Sequence, residues 1–142
     1  LPRLPGEIAV AAATALIVAP VVEEIIFRGL LQRLAATYLG EAQGMIYAAA
    51  VFGVIHMQLW SLFGLIGVGL VLGFIFMTTR SVTACILAHA LHNAVSLAIM
   101  VTNGPSTYEP NPVMSQVWVT AISVIVLLWA GSSLWRERVR AT

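Results

Sequence analysis

The chain has 142 residues, 60% of them hydrophobic and 9% charged, with a mean hydropathy of +0.95. A soluble domain would need far more charge to cover its surface, so the composition is that of a polytopic membrane protein, an all-α bundle of about five to six transmembrane helices. Seven arginines against six glutamates leave a net charge of +1, which excludes the broad basic patch of a nucleic-acid binder, and the single cysteine, Cys85, excludes an internal disulfide.

Leu1 and Pro2 stand where a methionine would open a chain, and no secretory signal pattern follows, so the natural start is expected to lie upstream. Residues 7–19 form an alanine- and valine-rich run shorter than the ~20 residues of a straight span. Pro20 is expected to open a second helix through Glu23 and Glu24 to Leu39, stopping at Gly40; one long kinked helix is the alternative. A third helix is predicted over 42–57 and a fourth over 60–79, after a turn near Gln58. The fourth carries Gly64, Gly67, Gly69 and Gly73, the last two forming a small-residue face for close packing. A fifth helix, 82–101, holds His89, His92 and Cys85, the last reading as a small packing residue rather than a nucleophile. A polar loop, 102–112, leads to a last span, 113–135, with Trp118, Trp129 and Trp135 before Arg136, Arg138 and Arg140, which suit an interface anchor. Six alternating helices would put Arg3, Arg33, Arg80 and the C-terminal arginines on one side, the cytoplasm, and the connections near Pro20, Gln58 and 102–112 on the other. The all-arginine basic set points to a GC-rich genome, and the expected location is a prokaryotic cell membrane, crossed several times.

The polar residues inside these apolar helices need a common explanation, since each charge in a bilayer costs at least about 2.5 kcal/mol. Glu24 and Arg28 are four apart on one helical face and can pair, while Glu23 sits about 100° round the helix with no local partner. His56 follows Phe52 by one turn, and Asn93 follows His89 by one turn. Taken singly, an intramembrane histidine reads as a satisfied interhelical bond; together, a glutamate, the histidines and an asparagine are most simply placed in one polar cavity. There a glutamate and a neutral histidine can hold and deprotonate a water, and a second histidine with an asparagine amide can donate to the oxyanion formed at a carbonyl. No cofactor is called for. Metal ligation by Glu23, His56, His89 and His92 would make the same groups a metal-assisted hydrolase, but the His-Glu-x-x-His spacing is absent. A non-catalytic scaffold that keeps the cluster for helix registration is the competing reading, with its Gly-rich fourth and Trp-rich last helices free to contact other membrane subunits.

Glu23-Glu24 with Arg28 reads as EExxxR, Phe52 with His56 as FxxxH, and His89 with Asn93 as HxxxN, in that order on successive apolar helices. In these motifs the stretch from Pro20 to Asn93 resembles the CAAX protease and bacteriocin-processing (CPBP) family, the type II CAAX prenyl endopeptidases. The resemblance implies a single membrane domain over 1–142 that lacks N-terminal helices, since relatives commonly have about eight spans. It also implies a membrane-embedded endopeptidase acting on a hydrophobic, membrane-associated or prenylated-type peptide. In it, Glu23 and His56 would activate water, His89 and Asn93 would form the oxyanion hole, and Glu24 with Arg28 would be a supporting ion pair; His92 falls outside the motif. Eukaryotic relatives remove the last three residues of prenylated proteins, while bacterial ones are diverse. The CAAX enzymes work on the cytoplasmic side, whereas the arginine count puts Glu23 and His56 towards the opposite side.

Overall fold

A computed structural model describes residues 5–103, and the regular structure within them is entirely helical. The polar loop beyond 103 and the Trp-rich last span lie outside the described residues. Helix α1 runs over residues 5–39, α2 over Glu41–Ile55, α3 over Leu62–Thr79 and α4 over Val82–Asn103, with one 3-10 turn, Leu59–Ser61, before α3. Three of the helical stretches are long and apolar enough to cross a membrane: Ala9–Leu39, Leu59–Thr79 and Val82–Ile99. At 15 residues α2 is about 22 Å long, shorter than the ~30 Å hydrocarbon core.

The expected break at Pro20 is absent, and the single long helix holds instead. Proline removes one N–H from the helical ladder and crowds the preceding turn. Here the chain absorbs that with a π-helical stretch, Thr14–Val18, which widens the ladder immediately before Pro20; the Ala19 N–H bonds back five residues to the Thr14 carbonyl, and Pro20 itself is fully buried. A second π-helical stretch, Ile25–Gln32, follows Glu24. With one helix before Gly40 instead of two, the alternation that grouped Arg3 with Arg33 on one side fails. Among the described residues, the end that carries Gly40 also carries the exposed Glu41–Arg80 ion pair, 2.8 Å long.

Helix ends follow local chemistry. Gly40 closes α1 at φ 86°, ψ 163°, a backbone conformation that residues with a Cβ rarely adopt. Arg80 takes the left-handed conformation after α3 and returns its N–H to the Phe76 carbonyl at 2.8 Å. The core is built where α2 and α3 approach closely. Ala48, Ala49 and Phe52 of α2 and Leu72 and Phe76 of α3 are almost fully buried. A Cβ on Gly69 would lie 3.0 Å from the Ala49 Cα, so the missing side chain sets this helix spacing. The apolar side chains Ile17, Val18, Val22, Ile25, Ile26 and Leu30 of α1 remain exposed, as a lipid-facing helix requires.

Candidate active site

The two adjacent glutamates of α1 point to different places. Glu24 is wholly buried, and its Oε1 accepts two hydrogen bonds: from Arg28 Nη1 at 2.9 Å, one turn along, and from His89 Nδ1 at 2.8 Å, across the bundle from α4. Arg28 is 1% exposed and also donates through Nη2 to the Gly69 carbonyl at 2.9 Å, with its Cζ 5.1 Å from the Phe52 ring centroid. Gln32, one turn further, donates to the Gly73 carbonyl at 3.0 Å. Glu24, Arg28 and Gln32 thus form a buried polar stripe along α1, and the second lone pairs of two α3 carbonyls take its last two members. A buried guanidinium needs such partners, because an uncompensated charge in the interior is strongly destabilising.

Glu23, about 100° away round the helix, faces the cavity. Its Oε2 lies 3.8 Å from His56 Nε2 and 3.9 Å from His89 Nε2 and makes no direct hydrogen bond. Both separations exceed a hydrogen bond and are short enough for one water to bridge. His56 is held at the end of α2, where its Nδ1 donates to the Phe52 carbonyl at 2.6 Å. A carbonyl can only accept, so the Nδ1–H is engaged, and a neutral ring presents Nε2 towards Glu23 as an acceptor. His89 takes its orientation from Glu24, which engages Nδ1 and turns Nε2 towards Glu23. Phe52 supports both rings, with centroids 4.5 Å from His56 and 6.0 Å from His89, and meets Phe27 edge-on at 5.0 Å.

Asn93, one turn beyond His89, donates through Nδ2 to the Ala15 carbonyl in the first π-helical stretch of α1, at 2.8 Å. A cavity of about 290 Å³ joins these groups: Glu23, His56, His89 and Asn93 all line it. Its remaining walls come from Phe52 of α2, from Gln58 and Ser61 in the connection to α3, from Gly64, Leu65 and Val68 in the first half of α3, and from His92 and Ser96 on α4. All four sequence-predicted catalytic residues therefore border one space, and the predicted supporting pair lies directly behind it. Cys85 is fully buried and donates from Sγ to the Ser81 and Leu72 carbonyls, away from this space.

Sequence reasoning missed two features. Gln32 is an unflagged buried polar residue, although its spacing of four from Arg28 continues the Glu24–Arg28 face. The Glu24–His89 bond joins residues 65 apart, and no local pattern announces it.

A family model described as type II CAAX prenyl endopeptidase Rce1-like matches residues 5–95, a stretch that contains Glu23, Glu24, Arg28, His56, His89 and Asn93. No curated protein and no solved structure matches the chain.

Proposed function

The chain belongs to the Rce1-like family of type II CAAX prenyl endopeptidases, and from that membership we propose that this integral membrane protein hydrolyses a peptide bond of a membrane-associated substrate, with Glu23 and His56 as the water-activating pair. The observation that carries this reading is the position of Glu23 Oε2, unbonded and 3.8 and 3.9 Å from the Nε2 atoms of His56 and His89.

The chemistry follows from hydrogen-bond capacity. Glu23 Oε2 and His56 Nε2 are both acceptors, so a water between them gives one proton to each and turns a lone pair outward. Attack on the substrate carbonyl carbon transfers the water proton to Glu23, the general base, and converts the carbonyl oxygen to an oxyanion. His89 and Asn93 supply the donors that meet this charge. With Nδ1–H engaged by Glu24, an Nε2–H makes His89 an imidazolium; Glu23, Glu24, Arg28 and His89 then sum to zero, which suits a cluster in low dielectric. Asn93 has a second Nδ2 hydrogen beyond the one given to Ala15. Collapse of the tetrahedral intermediate breaks the C–N bond, and the proton on Glu23 passes to the leaving amine. Glu24 acts as a positioning residue, because it fixes which nitrogen of His89 faces the cavity. The partners of this reading are membrane lipid and a hydrophobic peptide.

The test compares wild type with Glu23→Gln, reconstituted in lipid, on prenylated and unmodified hydrophobic peptides. Glu23→Gln keeps shape and hydrogen bonding but removes the base, so cleavage should fall to background at unchanged thermal stability. Equal cleavage by both proteins would sink the proposal and favour a scaffold.

A further inference from the structure

A proline inside a helix bends or strains its axis, and at position 20 the missing N–H also falls at a chemically consequential place. In a continuous helix the Ala15 carbonyl would accept from the N–H of residue 19, or from that of residue 20 in a π-turn. The Ala19 N–H is instead bonded to the Thr14 carbonyl. Position 20 is proline and has no N–H to give. The Ala15 carbonyl therefore has neither of these backbone donors, and its hydrogen bond comes from Asn93 Nδ2, 78 residues away, at 2.8 Å. A carbonyl without a partner is costly inside a membrane, so this bond has a strong reason to persist.

We infer that Pro20 is a positioning residue of the active site: by leaving the Ala15 carbonyl without a backbone donor, it reserves that carbonyl as the anchor of the Asn93 side chain. The inference rests on the proposed role of Asn93 as an oxyanion donor for its catalytic consequence, but not for the anchoring itself. One hydrogen of the Asn93 amide is tied to α1, which sets the plane of the amide and aims its other hydrogen. The anchor joins α4 to α1 about two turns before Glu23, so a base and an oxyanion donor borne on different helices keep a fixed separation. A donor aimed before the reaction stabilises the developing charge without reorganisation.

The experiment is Pro20→Ala in the full chain reconstituted in lipid bilayers. Alanine restores an N–H at position 20, which competes with Asn93 for the Ala15 carbonyl, and it removes a proline from a helix interior. These gains offset the space that the smaller side chain leaves at the fully buried position 20. Side-chain amide resonances of 15N-asparagine-labelled protein, assigned with Asn93→Asp, should show the Asn93 signal shifted and its hydrogens exchanging at least tenfold faster. Turnover should fall about tenfold in kcat with KM unchanged. A backbone ester at position 20, made with lactic acid in place of proline, also lacks the N–H and should restore both the wild-type amide signal and kcat; a purely structural proline would not be rescued this way. This ester variant also keeps the test decisive should the alanine variant fold poorly. An unchanged Asn93 signal in Pro20→Ala, or an ester variant that behaves like Pro20→Ala, overturns the inference. A shifted Asn93 signal with unchanged kcat upholds the anchor and overturns the oxyanion role of Asn93 instead.

Discussion

Glu23 and Glu24 are covalent neighbours with the same side chain, and the bundle gives them opposite tasks. Glu24 is wholly buried and bonded at 2.8–2.9 Å to a guanidinium and an imidazole. Glu23 borders a 290 Å³ cavity, is 27% exposed, and has both histidines just beyond hydrogen-bond reach. One residue of helical rotation decides between them. Glu24 Oε1 is committed to two fixed donors, so this carboxylate holds Arg28 and His89 in place. A carboxylate that borders the cavity, with two histidine nitrogens within 4 Å, can take a proton from a bound water and return it. The neighbouring pair therefore separates the group that holds the site from the group that works in it.

Removing the working group should have the largest effect. Glu23→Gln is expected to lower cleavage by about 10²- to 10⁴-fold, the usual contribution of a positioned general base, without a change in melting temperature. Peptide-cleavage rates and thermal unfolding in the same lipid environment check both halves. The holding side should respond in the opposite sense. Arg28→Ala leaves Glu24 buried without its guanidinium and should destabilise the fold by about 3–5 kcal/mol, read from equilibrium unfolding in detergent or lipid. If Arg28→Ala proved as stable as wild type, the division between holding and working residues would be wrong. Packing behind the stripe comes next: Gly69→Val puts a branched side chain where a Cβ already meets the Ala49 backbone at 3.0 Å, and overpacking should cost about 1–3 kcal/mol in the same assay. The smallest effect belongs to the exposed Glu41–Arg80 pair, where Glu41→Ala should change stability by less than about 1 kcal/mol and progressively less as salt is raised.

Much of this site was legible before any coordinates. Helical spacing alone puts Arg28 on the Glu24 face, His56 below Phe52 and Asn93 below His89, because residues four apart share a side of a helix. The cost of charge in lipid then argues for convergence. What spacing could not supply was direction between helices. It said that Glu24 pairs with Arg28, but not that the same oxygen also accepts from His89. Gln32 continued the stripe at the right interval and was overlooked, since an amide carries no charge to draw attention. Pro20 was read as a helix start, the most frequent use of a proline in that setting. The π-helical stretch before it let one helix run from residue 5 to 39, and the predicted sidedness, which depended on counting two helices there, lost its basis.

The sequence by itself determined that this chain is an all-helical membrane protein, and which three helical segments carry the polar groups of one family's motifs. These follow from composition and from the 3.6-residue period, both properties of the chain taken locally. Only the tertiary structure decided that Glu23 faces the cavity and Glu24 the core, that His89 is oriented by Glu24 rather than by a neighbour on α4, and that Asn93 is tied to the Ala15 carbonyl. Each of those outcomes depends on the packing angle and register between helices, which are set by close contacts such as Gly69 on Ala49. Hydrogen bonds spanning 65 and 78 residues exist only once that register is made.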